Sequence, residues 1–176
     1  MEIRKSLEEA LEAGSYIDLA LSDGSHSGFV LGVSDSLVLL QTIYEWQDYG
    51  ALAVPLDEIE SVGISEEHAG QLDVLAFNSV KRTKRYAAIK FGSLSELFHS
   101  LKPRGKFVVL SFGEEADVGL IEAVGKDSVD IKTVTPGGNW SGDTVECAFD
   151  DITLVQFDDN YSRVLQRYVE RAATLN

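Results

Sequence analysis

Apolar positions along this chain switch twice between a helical and an extended period. Ser6-Leu7-Glu8-Glu9 has the spacing of a capping box, in which the serine side chain accepts from the third helical amide and the glutamate reaches back. The spacing predicts a short helix that starts at Ser6, carries Leu7, Ala10 and Leu11 on one face, and ends at Gly14. From Tyr16 the period drops to two, with Ile17, Leu19 and Leu21 opposite Tyr16, Asp18, Ala20 and Ser22, as in a half-buried strand. Ser22-Asp23-Gly24-Ser25 turns the chain, residues 28–33 form the next strand, Ser34-Asp35-Ser36 turns it again, and residues 37–43 form the third. Gly28 and Gly32 lie inside a strand and read as curvature, because strands of a small barrel bend sharply to close the sheet. A polar, aromatic stretch over residues 44–50 precedes a strand at 51–54. Pro55 cannot donate to a ladder and belongs at a strand edge or break. Ile59, Val62 and Ile64 mark a short fifth strand.

The pattern is then written again. Ser93-Leu94-Ser95-Glu96 is a second capping box, and the helix with Leu94, Leu97, Phe98 and Leu101 stops before Pro103. Setting Gly105 against Gly14 matches residues 107–112 to 16–21 without a gap and Gly119 to Gly28. One extra residue in the following turn brings Asp127-Ser128 onto Asp35-Ser36, and Trp140 falls near Trp46. Phe149-Asp150-Asp151-Ile152 repeats Leu56-Asp57-Glu58-Ile59. Such an ordered recurrence is an internal repeat. The predicted fold is mainly β with short helices: a five-stranded bent-sheet barrel over 1–64 and another over 93–157, each preceded by a short helix. A connector, 65–92, carries a basic run, and the pattern leaves its secondary structure open. In the tail, 158–176, Tyr161, Val164, Leu165, Tyr168, Val169 and Ala172 recur at helical spacing behind Asp159 or Asn160 as cap, which predicts a helix packed on the second barrel.

Composition adds charge to this picture. Fifteen lysines and arginines face 29 aspartates and glutamates, a net charge of −14 that repels phosphate backbones. The single cysteine, Cys147, excludes an internal disulfide and suits a reducing cytoplasm. No apolar run reaches the length of a signal peptide core or a membrane span, so a cytoplasmic location away from membranes is expected.

Candidate chemistry is sparse. A cysteine nucleophile needs an adjacent base, and no spacing ties Cys147 to His26, His68 or His99, so it reads as a small hydrophobe in a strand. Asp150-Asp151 and Asp158-Asp159 lack the oxygen-rich, glycine-containing loop of a calcium site and read as a solvated acidic edge. Gly137-Gly138 after Pro136 has no following lysine or helix start and reads as a turn rather than a phosphate loop. No enzyme activity, metal or cofactor is expected. Trp46 and Trp140, with Tyr44 and Tyr49, have two readings: barrel core or end cover, or an aromatic face that stacks a base or grips a peptide. The basic run Lys81, Arg82, Lys84, Arg85 and Lys90, with Lys102, Arg104 and Lys106, holds eight of the fifteen basic residues. It can meet nucleic acid, the chain's own acidic barrels, or an acidic neighbour.

A leading helix, five short bent strands, an inner strand opening on glycine and an aspartate-isoleucine closing strand together resemble the Sm-like (LSm) fold, an SH3-like barrel, over residues 1–64 and again over 93–157. In RNA-binding members of that family the first motif runs glycine, apolar strand, aspartate, then an apolar residue and an asparagine that contacts a base. Ser34 stands at the aspartate position here and Val38 at the asparagine position; in the second copy Gly125 and Val129 or Asp130 fall there. The second motif, apolar-arginine-glycine, is replaced by Val54-Pro55-Leu56 and Cys147-Ala148-Phe149. The resemblance therefore implies the fold without the RNA site. The stretch from Phe149 through Tyr161 to Leu165 is also similar to a family of uncharacterised bacterial proteins, which implies a bacterial source and supplies no activity. The expected function is a non-enzymatic tandem Sm-like protein acting as a protein-binding or assembly module and forming a homo-oligomer. The competing expectation is an RNA-binding protein that uses the basic connector.

Overall fold

In the computed structural model, which describes residues 2–175, the first helix, α1 (Glu2–Ala13), begins a turn before Ser6. Ion pairs at i,i+4, Arg4 with Glu8 at 2.9 Å and Lys5 with Glu9 at 3.5 Å, run along the early turns, so Ser6 is a mid-helix residue and not a cap. At the other end Gly14 adopts φ 66°. Ser15 N–H donates to Ala10 O and Gly14 N–H to Leu11 O, the paired bonds of a left-handed helix stop. The chain divides into two units, residues 1–88 and 89–176.

In the first unit α1 lies over a five-stranded antiparallel sheet of β1 (Tyr16–Leu21), β2 (Gly24–Val33), β3 (Leu37–Tyr44), β4 (Gln47–Pro55) and β5 (Ile59–Gly63). The spatial order is β5-β1-β2-β3-β4: the last strand returns beside the first, pairing Leu19 with Val62. Leu7 and Ala10 of α1 are buried, and β3 is buried from Leu37 to Ile43 on both faces. The polar, aromatic stretch at 44–50 is mostly strand, so β4 begins four residues before the expected 51. Glu45 and Trp46, at φ 47° and 62°, make a two-residue turn, and β4 starts at Gln47. Pro55 ends β4, where its missing N–H is not needed.

The second unit repeats the arrangement with α3 (Leu94–Leu101), β6 (Val108–Phe112), β7 (Glu115–Val124), β8 (Ser128–Val134), β9 (Trp140–Ala148) and β10 (Leu154–Phe157), ordered β10-β6-β7-β8-β9. Ser93 caps α3 by accepting from Glu96 N at 3.2 Å. Glu96 reaches back one residue further than the capping box predicts, to Gly92 N at 3.0 Å. Phe98 on α3 stacks on Phe149, the ring centroids 5.7 Å apart, which fastens the helix to the closing segment.

The strand ladders fix how the copies correspond. Gly28 faces Thr42 and Gly119 faces Thr133. A Cβ at Gly28 would lie 1.9 Å from Gln41 O, and at Gly119 2.0 Å from Lys132 O, so at both bends the neighbouring backbone fills the place of a side chain. The ladders slip at matching points, between Val30 and Gly32 and between Ile121 and Ala123. The next turn also matches without insertion: Ser34 N donates to Leu37 O as Gly125 N does to Ser128 O, both at 2.8 Å. The expected extra residue there is thus absent, and Asp35-Ser36 correspond to Lys126-Asp127 rather than to Asp127-Ser128. The insertion comes later, where Thr135-Pro136-Gly137-Gly138-Asn139 joins β8 to β9. Ile43 faces Asp48 while Val134 faces Trp140, so Trp140 corresponds to Asp48 and not to Trp46.

Each sheet is followed by a helix in an equivalent role. α2 (His68–Phe77), in the stretch left open as connector, places Leu75 on Tyr16, Phe29 and Ile43. α4 (Asn160–Thr174) places Leu165 and Val169 on Phe107 and Val134, which correspond to Tyr16 and Ile43. Asp159 is the α4 cap, accepting from Ser162 N at 2.9 Å. The repeating unit is therefore helix, five strands, helix.

Candidate functional site

The four aromatic candidates separate into two environments. In the first unit Tyr44 and Tyr49 meet edge to face at 5.5 Å across the β3–β4 hairpin, and Trp46 stands in its turn. Asn78, at the end of α2, donates from Nδ2 to Trp46 O at 2.7 Å and holds the turn. Tyr44 is 58% and Trp46 41% exposed, so these rings form a surface and not core. Trp140 instead packs edge to face on Phe107 at 5.7 Å, with the Lys132 ammonium 4.5 Å above its ring. It covers Phe107, which itself packs against α4 in the second unit, and remains 38% exposed.

The basic run does not extend into solvent as a free tether. Residues 80–84 have no regular structure, yet Gln41, fully buried on β3, holds them. Its Nε2 donates to Lys81 O at 3.1 Å and its Oε1 accepts from Thr83 N at 2.8 Å, as a peptide group of a neighbouring strand would. Arg82 donates from a guanidinium nitrogen to Leu11 O at the end of α1, 2.7 Å away. Asp48 accepts from Arg85 at 2.7 Å and Gln41 at 3.0 Å through one oxygen, and from Gly50 N at 3.0 Å through the other. Asp48, Ser79, Val80, Lys81, Arg82, Thr83 and Lys84 line an open cleft of about 590 Å³. Lys90 is separate, lying in the second unit with its N–H on Ser100 Oγ at 3.0 Å.

The positions that the resemblance sets against RNA-contacting residues are occupied structurally. Val38 and its equivalent Val129 are completely buried. Ser34 Oγ accepts from Leu37 N at 2.9 Å and Ser36 N at 3.3 Å, so its hydroxyl is committed to the turn.

Cys147 is buried on β9, its Sγ 3.9 Å from Val145 O. Burial first, and then Asp117, Asp130, Asp151 and Glu146, push the thiol from its ordinary 9.0 up to about 11, which keeps it protonated at neutral pH. The histidines are dispersed. His68 Nε2 accepts from Tyr16 N at 3.1 Å, His99 Nδ1 contacts Ser95 O on its own helix at 2.7 Å, and burial lowers the pKa of His26 on β2. Of the paired acids, Asp150 and Asp151 are exposed, whereas Asp158 and Asp159 are not the expected solvated edge: Asp158 binds Arg104 at 2.6 Å, and the buried Asp159 is the α4 cap. Among the described residues no group of three or more histidine, cysteine, aspartate or glutamate side chains is placed to hold a metal ion. Gly137-Gly138 is a turn, with Gly138 so close to the Tyr168 ring that a Cβ would lie 2.4 Å from it.

Sequence reasoning missed Gln41 and Asp48. A glutamine at a strand position among buried apolar residues was the available signal, since a buried amide requires partners. No family model, curated protein or solved structure matches the chain.

Proposed function

We propose that the chain is a non-enzymatic protein-binding or assembly module built from two Sm-like barrels. In each unit the leading helix, the last strand returning beside the first, and the bend at Gly28 or Gly119 support the Sm-like reading. The observation that carries the binding role is the tip of the β3–β4 hairpin, where Tyr44 and Trp46 are exposed on a turn fixed by Asn78. Aromatics held rigidly in water bury large area on a partner at little loss of side-chain freedom. The outer strand β9, exposed along residues 140–146, offers a second means of association by strand addition. Burial of Val38 and Val129 supports a protein partner over RNA.

The test compares a Tyr44→Ser, Trp46→Ser double variant with Trp140→Ser. Light scattering and affinity capture from the source cells are expected to show loss of self-association or of a captured protein in the double variant only. A monomer of 19.3 kDa that captures no protein, or a captured nucleic acid that both variants retain, overturns the proposal.

A further inference from the structure

The cleft at residues 79–84 is built, and the second copy does not repeat the side chains that hold it. Gln41 corresponds to Lys132 and Asp48 to Trp140, so where the first unit uses an amide and a carboxylate to hold a loop, the second closes the same place with a cation stacked on an indole. Burying the Gln41 amide is unfavourable unless its hydrogen bonds are met, and two of them go to the main chain of the basic run. The fold thus uses a buried polar side chain to fix Lys81, Arg82 and Lys84 around one cleft.

Those three cations keep their charge available. None takes part in an ion pair among the described residues, in a chain with 29 acidic side chains to offer. Arg82 gives one nitrogen to a neutral carbonyl, which leaves its charge uncompensated. The one acid in the cleft, Asp48, is paired with Arg85 and has both oxygens occupied. The cleft is consequently a positive locus in a molecule of net charge −14.

Size and lining restrict the ligand. About 590 Å³ falls in the range of small-molecule sites. Val80 is the only sizeable apolar side chain in the lining and no aromatic is present, so nothing there stacks a base or seats the alternate side chains of a bound peptide. An extended polyanion would also leave the positive locus and meet the acidic remainder of the surface, whereas a compact one concentrates its charge inside it. Lysine ammonium groups and an arginine fork suit phosphate oxygens. We infer that the cleft formed by Ser79, Lys81, Arg82, Thr83 and Lys84 binds a compact polyphosphate group, free or carried by a small molecule.

The test is calorimetric titration of the full chain with inorganic tripolyphosphate at ~0.15 M salt, where screening leaves only close contacts effective. Saturation below about 1 mM is expected, and weaker binding overturns the inference. Lys81→Glu with Lys84→Glu is expected to weaken binding about tenfold or more, the loss of one charge-assisted hydrogen bond. Lys102→Glu with Lys106→Glu makes the same charge change outside the cleft and is expected to leave binding within about threefold. An equal loss in both pairs means general attraction and overturns the site. A nucleoside triphosphate that binds as tightly as tripolyphosphate, or tighter, supports the phosphate reading and identifies which source is preferred. Equal or tighter binding of citrate or hexaglutamate shows a carboxylate site and overturns it.

Discussion

His68 Nε2 accepts the backbone N–H of Tyr16 at 3.1 Å, and in the second copy Gln166 Oε1 accepts the N–H of the corresponding Phe107 at 2.9 Å. In both units the trailing helix uses one side-chain acceptor to satisfy the amide at the opening of the first strand. That amide lies above the cluster of Tyr16, Phe29, Ile43 and Leu75, or of Phe107, Val134, Leu165 and Val169. Histidine and glutamine are interchangeable here because each presents its acceptor, Nε2 or Oε1, three bonds beyond the Cβ.

This equivalence predicts the outcome of exchange. His68→Ala leaves the Tyr16 amide without its acceptor and is expected to lower stability by about 1 kcal/mol or more. His68→Gln is expected to recover most of that loss. Chemical denaturation of the three proteins checks both, and a glutamine variant no better than alanine would refute the shared role.

Gly28→Ala and Gly119→Ala drive a methyl into the carbonyl oxygen of Gln41 or Lys132. Backbone is the obstacle and no rotamer change relieves it, so each substitution is expected to cost about 3 kcal/mol. Gly63→Ala on the outer strand β5 meets nothing within 4 Å and is the control, expected within about 0.5 kcal/mol of the parent. Comparable losses at all three positions would remove the close approach as the cause.

Cys147 provides a pH test. Its folded pKa is raised, so the protonated thiol favours the fold at neutral pH, and this contribution is lost as pH rises from about 9 toward 11. Stability of the parent is expected to decline over that window more than that of Cys147→Ala. Alkylation by iodoacetamide at pH 7.5 should be slow in the folded chain and fast after unfolding. Rapid modification of the folded protein at that pH would contradict the buried, protonated thiol.

Nucleic acid is expected to bind weakly. Filter binding of uridine-rich and adenine-rich oligomers at ~0.15 M salt should give dissociation constants above about 1 μM, against the tighter values of specific nucleic-acid sites. Sub-micromolar affinity for either oligomer would favour the RNA-binding alternative over the protein-binding proposal.

What the amino-acid sequence determined by itself was the local and periodic part of the fold. The alternation of apolar residues, the glycines at both bends, the cap at Ser93 and the amphipathic tail each depend on neighbours close along the chain; they placed β1, β3 and β5 within a residue, while β2 and β4 begin four residues earlier than the pattern indicates. Repetition in the sequence likewise gave two units of one design. Tertiary structure decided what depends on partners far apart in sequence. Cross-strand pairing set Trp140 against Asp48 rather than Trp46, because register is chosen by the whole ladder and not by the nearest matching letter. The stretch over residues 68–88 gained its structure from contact with the sheet. Leu75 on Tyr16 and Gln41 on Lys81 and Thr83 join residues about forty to sixty positions apart, and no periodicity records such a contact. The basic run was legible as charge, but its conversion into a fixed cleft rests on one buried glutamine on β3, whose role appears only when strand and loop meet in space.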